Sequence, residues 1–230
     1  MAFTTIKSFA EISHRYDGFI LDQFGVMHNG SRSLPGSEEC VEKLVAMGKK
    51  LIILSNTSSP SSSCMDKLPK LGFNRDQFVG AVTSGEEASG YIHGTYGGGK
   101  VPKKAIWFTW DGDEPEIPLA FLSKCGNVEG TTNIQEADFI IAHGSNVLRS
   151  TKDGSSDNVV TLGLGSYMDD GDFSLIDPVL EECLSRRLPM VCANPDLIVK
   201  LPGDVTANMP GKLFRMFVEV TRETLMFLHI

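Results

Sequence analysis

The sequence lacks any apolar run that approaches the ~18 residues needed to cross a membrane. It also lacks an excess of positive charge, because 29 acidic residues outnumber 21 lysines and arginines and give a net charge of −8. A nucleic-acid surface needs clustered cations to neutralise phosphates. We therefore expect no membrane and no nucleic acid as a partner, and a small anionic substrate would need a cation to help it bind.

Cysteine is sparse, and none of the five cysteines stands in CxxC spacing. Their odd number and scattered positions predict reduced thiols rather than a disulfide framework or a zinc site. About sixteen residues precede the first predicted strand, and Glu11 and Asp17 among them are atypical of a signal or transit peptide. We therefore predict a cytoplasmic protein.

The composition is that of an ordinary globular protein, since hydrophobic residues make up 41% of the chain and charged residues 22%. With 230 residues, the chain is long enough for one large domain or for a core domain with a smaller inserted one. The order of the predicted elements favours the second arrangement.

The first part of the sequence predicts a β-α-β-α pattern. Residues 18–23 form an apolar strand, and the helical spacing that begins at Pro35 is stopped by Gly48. Residues 51–54 form a second strand, and a further helix begins at Pro60. A short third strand is predicted at residues 81–84. Continuous apolar strands of this kind are typical of a parallel sheet that is covered on both faces.

A glycine- and lysine-rich segment at residues 94–104 predicts a domain boundary. Its first seven residues, Gly94 to Lys100, fit the phosphate-loop pattern GxxxxGK, but Val101 replaces the usual Ser or Thr and the preceding segment is helical. We therefore predict a flexible linker there.

Beyond this linker the sequence predicts an inserted α/β cap domain. We divide the chain into a core at residues 1–94, a cap at 95–208 and a return to the core at 209–230. The predicted elements are strands at 105–108, 137–142, 159–164 and 190–193 and helices at 174–187 and 210–230.

Polar side chains stand at the ends of the first two predicted strands. The strand Phe19–Leu21 delivers Asp22 just before Gly25, and Ser55 and Asn56 follow the second strand. Parallel topology places both ends at the same edge of the sheet, where open α/β sheets bind ligands. A carboxylate at that edge can act as a nucleophile. The alternative is that these residues only cap helices or form turns.

The order and spacing of these motifs resemble the haloacid dehalogenase (HAD) superfamily, most closely its class IIA branch of p-nitrophenylphosphatase-like sugar and nucleotide phosphatases. Phe19–Asp22 with Gly25–Gly30 resembles the first motif, and Ile53–Asn56 resembles the second. Met190–Asp196 resembles the loop of the class IIA cap that closes over substrate. The resemblance extends over roughly residues 14–217. It implies a Rossmann-like parallel core with an inserted cap.

The resemblance also implies phosphoryl transfer through an aspartyl-phosphate, assisted by Mg²⁺. A carboxylate that attacks a phosphate dianion is repelled by its charge, so the site needs a cation and hydrogen-bond donors. The substrate would be a small phosphorylated metabolite. The implied roles are nucleophile and metal ligand for Asp22, metal ligand for the backbone carbonyl of Phe24, hydroxyl donor for Ser55, orientation of loop or ligand for Asn56, and substrate binding for Asn194 and Asp196.

Phe24 departs from the pattern of the superfamily's phosphatases, which carry a second aspartate two residues after the nucleophile. That aspartate protonates the leaving group and deprotonates water, and its loss costs a factor of ~10²–10⁴. Dehalogenases of the superfamily carry an aromatic residue at this position and expel halide, which needs no proton. Their cap is usually of a different type from the one indicated here.

The last part of the sequence departs from the pattern as well. The turn at Met209–Leu213 resembles one that precedes the phosphate-binding lysine in class IIA relatives, so we expect Lys212 not to be that lysine. Residues 219–230 contain no GKP turn and no acidic pair, so we expect a core that is incomplete at its C-terminus. An exposed sheet edge would then favour dimerisation.

A substitute for the missing acids is present at Asp169, Asp170 and Asp172, but a solvated loop within the cap is the favoured interpretation. Of the histidines, His28 either approaches a ligand or stands in a surface loop, and His93 and His143 are expected to be ordinary loop or core residues.

Three functions therefore stay open at this point. The leading hypothesis is a Mg²⁺-dependent phosphohydrolase of HAD type with impaired activity. The second is a non-catalytic relative that retains a phosphate-binding cleft. The third is a 2-haloacid dehalogenase, which the aromatic side chain of Phe24 keeps open.

Overall fold

Two compact units make up the chain. The computed structural model describes residues 5–111, 116–151, 159–201, 203 and 205–221. One unit contains the residues up to Ser55 together with Ser61–Val82, and the other contains Asn56–Pro60 and the residues from Thr83 onward.

The first unit is built on a sheet of three strands in the order β1–β2–β3. β1 and β2 are parallel, with Leu21 level with Ile53, as the β-α-β pattern predicted. The buried side chains Leu51 and Ile53 of β2 lie in a core with residues of α2 and α3. The elements are α1 (Ala10–Ser13), β1 (Gly18–Leu21), α2 (Ser37–Ala46), β2 (Lys50–Ser55), α3 (Ser61–Lys67), 3₁₀ turns at Leu68–Leu71 and Arg75–Gln77, and β3 (Gly80–Thr83).

Gly48 ends α2, as the sequence predicted. Its φ of 72° lies in the left-handed region, which glycine adopts without steric cost. The Gly48 amide donates to the carbonyl of Val45 (2.8 Å) and the Lys49 amide to the carbonyl of Leu44 (3.0 Å). These two bonds satisfy the last carbonyls of the helix in a Schellman motif. The chain is thereby turned directly into β2.

The second unit contains a mixed sheet of six strands. Its main path runs β8–β7–β4–β6–β9, and β5 pairs with β4. The elements are α4 (Ser84–Ile92), a π-helical turn (His93–Gly97), β4 (Lys103–Thr109), α5 (Glu116–Lys124), β5 (Val128–Thr131), a 3₁₀ turn (Ile134–Glu136), β6 (Phe139–Ala142), β7 (Val147–Thr151), β8 (Val159–Gly163), α6 (Tyr167–Asp170), α7 (Asp177–Ser185), β9 (Met190–Cys192), β10 (Ile198–Leu201), β11 (Val205–Asn208) and α8 (Pro210–Thr221).

β4 lies at the centre of this sheet. One of its edges pairs with β6, and the other is shared between β5 along its first half and β7 near its end. Its side chains alternate between two cores: Ile106 and Phe108 pack with α7 and α8, whereas Ala105 and Trp107 pack with α4 and α5. Both faces are therefore covered, which explains the continuous apolar character of β4 and β6.

The prediction of a flexible linker at Gly94–Lys100 was wrong for its first four residues. The structure continues α4 as a π-helical turn over His93–Gly97. Gly97 is packed so closely that a Cβ atom there would lie 2.0 Å from the carbonyl oxygen of Cys125. Glycine is used here for close approach of two backbone segments and not for flexibility.

All four strands predicted after residue 104 are confirmed, as β4, β6, β8 and β9, but the sequence did not reveal β5, β7 or the antiparallel hairpin of β10 and β11. These strands are short, and three of them carry polar or charged residues within four positions. The last predicted helix is present as α8, and residues 222–230 of that prediction lie outside the described residues. The α/β class is confirmed.

In the described residues, no helix is both long and apolar enough to traverse a lipid bilayer. All five cysteines are unpaired. Burial raises the pKa of Cys64 to about 11, which makes this thiol a poor nucleophile.

The burial of β2 in the core of the first unit can be tested by replacing leucine with alanine at two of its positions, one buried and one exposed. Leu51 is fully buried, whereas Leu54 is 38% exposed. We expect Leu51→Ala to lower the free energy of unfolding by about 3 kcal/mol, because it leaves a cavity, and Leu54→Ala to lower it by less than about 1 kcal/mol. Urea titrations followed by far-UV circular dichroism measure both values. Equal losses would mean that β2 does not bury Leu51 as described.

Candidate active site

Asp22 stands directly after β1 with its side chain exposed. Its Oδ1 accepts a hydrogen bond from the amide of Gln23 at 2.7 Å. In the described part of the chain, Oδ2 accepts no hydrogen bond. Because Leu21 is level with Ile53, Asp22 and Ser55 stand at the same edge of the sheet, on strands about 5 Å apart. The carboxylate is therefore oriented by one amide and open on its other oxygen.

A tight turn follows Asp22 and is organised by Gln23. The carbonyl of Gln23 accepts the amides of Val26 (3.2 Å), Met27 (2.8 Å) and His28 (3.2 Å). Gly25 has a φ of 81°, so it takes the left-handed conformation that this turn requires. The buried side chain of Gln23 accepts a hydrogen bond from Cys64 Sγ at 3.2 Å, which ties the turn to α3.

Phe24 lies on this turn and is 40% exposed. Its ring meets the imidazole of His28 edge to face, with centroids 6.3 Å apart. Gly30 leaves room for the ring, since a Cβ atom there would lie 3.1 Å from Phe24 Cε2. The side chain two residues after the carboxylate is therefore an aromatic ring, which cannot donate or accept a proton.

His28 is buried, so of the two alternatives for this residue the surface-loop role is excluded. Its Nδ1 accepts the amide of Gly30 at 3.1 Å, which places the proton of the neutral ring on Nε2. Nε2 is buried and has no partner among the described residues. Burial lowers the pKa of His28, and the nearby Asp22 carboxylate opposes that shift. The ring is therefore predominantly neutral at pH 7.

The oxygen atoms at this strand end are of the kind that Mg²⁺ prefers. A carboxylate and a backbone carbonyl, those of Asp22 and Phe24, are hard ligands, and neither Oδ2 of Asp22 nor the Phe24 carbonyl is engaged by a described residue. In the described ranges, no group of three or more His, Cys, Asp or Glu side chains stands close enough to hold a metal ion. The site thus fits a Mg²⁺ ion held by one carboxylate, one carbonyl, water and substrate phosphate, as Mg²⁺ often is.

The acidic residues of the second unit make local hydrogen bonds. Asp170 accepts Ser166 Oγ at 2.8 Å, and Asp172 accepts the amide and hydroxyl of Ser174 at 2.9 and 3.0 Å. The bonds from Ser174 lower the pKa of Asp172. All three aspartates are exposed, as the favoured interpretation proposed, but Asp169 and Asp170 lie on the helix α6 and only Asp172 lies in the loop that follows it.

Asn56, Asn194 and Asp196 come together in the second unit. Asn56 Nδ2 donates to Asp196 Oδ1 at 3.0 Å, and the Asp196 amide donates to Asn194 Oδ1 at 3.0 Å. Gly211 at the start of α8 donates its amide to the carbonyl of Asp196 at 3.0 Å. The Asn194–Asp196 turn is therefore fixed from both sides.

Lys212 is engaged within the second unit. Its Nζ donates to Asn208 Oδ1 at 2.8 Å and lies 5.7 Å from the centroid of the Phe173 ring. Asn208 in turn donates to the carbonyl of Tyr167 at 3.0 Å. The ammonium group thus joins α8 to β11 and α6.

Sequence reasoning missed a buried polar cluster that involves Ser58, Thr109, Trp110 and His143. Trp110 Nε1 donates to Ser58 Oγ at 2.8 Å, and Thr109 Oγ1 shares a hydrogen bond with His143 Nδ1 at 2.9 Å. His143 is a core residue, as expected, and stacks on Phe121 with centroids 4.1 Å apart. The only signal in the sequence is that Thr109 ends β4 and His143 directly follows β6, its parallel neighbour.

Comparison with known proteins identifies relatives of the first part of the chain. Residues 19–109 match the family model of haloacid dehalogenase-like hydrolases. A 4-nitrophenylphosphatase of Schizosaccharomyces pombe is 33% identical over 67 residues, which are 29% of this chain and 22% of that protein.

Solved structures share the fold over nearly the whole chain. A haloacid dehalogenase-like hydrolase from Brucella suis 1330 superposes with a TM-score of 0.71 at 22% identity, covering 97% of this chain and 70% of that one. A p-nitrophenyl phosphatase from Archaeoglobus fulgidus superposes with a TM-score of 0.54 at 22% identity, covering 91% of this chain and 66% of that one.

The burial of His143 predicts a pH dependence of stability. Burial lowers the pKa of His143 to about 3, from 6.5, so below pH 6.5 the unfolded chain takes up this proton first. The free energy of unfolding should then fall by about 1.4 kcal/mol per pH unit, or about 2 kcal/mol between pH 6.5 and 5, and no loss from this group is expected above pH 6.5. Urea titrations at pH 6.5 and pH 5 measure the free energy of unfolding at each pH.

The variant His143→Asn, which keeps an acceptor for Thr109, should lose this slope. The same substitution at the exposed His93 is the matched control and should retain it. A slope that persists in His143→Asn would show that other groups cause it.

Proposed function

We propose that the chain binds small phosphate monoesters and hydrolyses them with Asp22 as the nucleophile. The match of residues 19–109 to the family model of haloacid dehalogenase-like hydrolases supports this proposal. The observation that supports this most is the exposed carboxylate at the end of a parallel strand, oriented by the Gln23 amide and open at Oδ2. The family match over residues 19–109 supports the resemblance noted from the first two sequence motifs. The substrate and the residue roles are part of the proposal.

In the proposed reaction, a carboxylate oxygen of Asp22 attacks phosphorus while the bond to the ester oxygen breaks, and water then hydrolyses the aspartyl-phosphate. Ser55, on the neighbouring strand end, is the proposed hydroxyl donor to the phosphoryl group. Asn56 orients its loop through the bond to Asp196, and Asn194 shapes the turn that holds Asp196. Asn194 and Asp196 are proposed to contact the substrate.

Asp22 and the carbonyl of Phe24 would hold Mg²⁺ in this proposal. The ion supplies charge neutralisation at the phosphoryl oxygens, which a carboxylate nucleophile otherwise repels. The chain itself supplies the oriented carboxylate and the turn that presents the carbonyl.

Phe24 favours a restricted version of this function. The position two residues after the nucleophile holds an exposed phenyl ring, and the neighbouring His28 is neutral and buried. An ester whose leaving group needs no proton, such as a nitrophenyl phosphate, should react, whereas an alkyl ester should react ~10²–10⁴-fold more slowly than with an acid in place. For alkyl esters the protein would then bind phosphate with little turnover, which is the second candidate function.

The nucleophile is tested by Asp22→Asn. We expect this change to lower the Mg²⁺-dependent release of nitrophenolate from 4-nitrophenyl phosphate by about a thousandfold or more, because an amide is not a nucleophile towards phosphorus. Absorbance and phosphate release together measure the rate. Asp17→Asn, at an exposed acid before β1, is the matched control and should react as the unmodified chain does. Full activity in Asp22→Asn would exclude the proposed role.

The missing proton carrier is tested by Phe24→Asp. In the first turnover, we expect release of the alcohol from an alkyl phosphate such as glycerol phosphate to rise by about 10²-fold, with a much smaller rise in release of nitrophenolate from 4-nitrophenyl phosphate, because in this step only the alkoxide needs protonation. Phe24→Asn is the control, since it has the same size as the aspartate but carries no proton. Equal gains for both esters would contradict the explanation. Halide release from a 2-haloacid by the unmodified chain would favour the dehalogenase reaction instead.

A further inference from the structure

The five residues Asn56–Pro60, here called the docked segment, follow the proposed phosphate-binding residue Ser55. They belong to the second compact unit although the strand they follow belongs to the first. Their conformation is therefore set by contacts with the second unit.

The backbone of the docked segment is bound by the start of α4. The carbonyl of Thr57 accepts the amide of Gly85 at 3.0 Å, and the carbonyl of Ser59 accepts Thr83 Oγ1 at 2.8 Å. Gly85 permits this approach, because a Cβ atom there would lie 2.0 Å from the carbonyl oxygen of Ser58. The segment thus lies against α4 at a distance that only glycine allows.

The centre of the docked segment is bound through a side chain. Ser58 is buried, and its Oγ accepts the indole N–H of Trp110 at 2.8 Å. A hydrogen bond to a buried hydroxyl is directional, so Trp110 fixes the position of Ser58 and not merely its burial.

Asn56, the first residue of the segment, is bound by Asp196. Asn56 Nδ2 donates to Asp196 Oδ1 at 3.0 Å. The segment is therefore attached at Asn56, Thr57, Ser58 and Ser59. The hydrogen bond from Trp110, which directly follows β4, joins two side chains, so it can be removed from either side without changing the backbone.

We propose that Trp110 is a positioning residue: through Ser58 it holds the docked segment in the conformation that binds phosphate. This inference rests on the proposed function for the step from conformation to phosphate binding. The docking itself stands on the hydrogen bonds. Trp110 makes no contact with substrate in this scheme and acts through the segment.

The test removes the Trp110–Ser58 hydrogen bond by substituting the donor, the acceptor or both. Trp110→Phe keeps a ring but loses the N–H, Ser58→Ala loses the acceptor, and the double variant loses both. Trp107→Phe is the matched control, because the indole N–H of the fully buried Trp107 has no partner among the described residues. Loss of one hydrogen bond corresponds to an effect of about fivefold.

Two readouts separate docking from function. The affinity for inorganic phosphate in the presence of Mg²⁺, by titration calorimetry, reports the proposed binding. Hydrogen exchange at the Gly85 amide and at the segment amides, without ligand, reports docking, because the Gly85 amide donates to Thr57. Neither readout requires turnover.

We expect Trp110→Phe and Ser58→Ala each to weaken phosphate binding by about fivefold and to speed exchange at Gly85, with the double variant no worse than either, because both remove the same bond. Trp107→Phe should change neither. Additive effects in the double variant, unchanged exchange in Trp110→Phe, or equal effects in Trp107→Phe would each overturn the proposal.

Failure of the proposed function is distinguishable from failure of this inference. If the unmodified chain binds no phosphate, the function is wrong and the phosphate-binding role of Trp110 falls with it. Faster exchange in Trp110→Phe and Ser58→Ala alone would then still establish Trp110 as the residue that docks the segment. If the unmodified chain binds phosphate and all variants bind it equally well, the function survives and the inference is wrong.

Discussion

The parallel pairing of β1 and β2 is the constraint on which the proposed site depends. It brings the ends of the two strands to one edge of the sheet, so that Asp22 and Ser55 are neighbours although the helix α2 separates them in sequence. The register is held by the buried side chains Leu51 and Ile53 on one side of β2. A slip of one residue would move every side chain of a strand to the opposite face, so the same apolar residues that stabilise the sheet also aim the carboxylate.

Inside the second unit, buried polar side chains position a segment of the chain, namely residues 56–60. His143, Thr109 and Ser58 are buried, and burying polar groups costs free energy unless they are hydrogen-bonded. Here the bonds from Trp110 and between Thr109 and His143 compensate in part and give direction to the chain that follows Ser55. An apolar core of equal volume would pack as well but would not specify where the docked segment lies.

The proposed site has a carboxylate that could attack phosphorus but, in the described part of the chain, no side chain placed to carry a proton. The Asp22 carboxylate, which is the proposed nucleophile, is oriented by the Gln23 amide, whereas the position two residues later holds a phenyl ring in contact with a neutral histidine. Bond formation to phosphorus and protonation of the leaving group are separate demands, and a site can meet the first without the second when the leaving group is a stable anion.

The sequence by itself determined the α/β class and the Gly48 stop of α2, because apolar runs and a left-handed glycine act through local physics. It also identified Asn56, Asn194 and Asp196 as separate candidates. Only the tertiary structure joined them, made residues 93–97 helical and revealed β5, β7 and the β10–β11 hairpin. The burial of His28, the Trp110–Ser58 bond and the docking of residues 56–60 likewise arise from contacts between positions far apart in the chain. Such contacts leave no periodicity in the sequence, so the residues that hold the site are the ones that the sequence could not reveal.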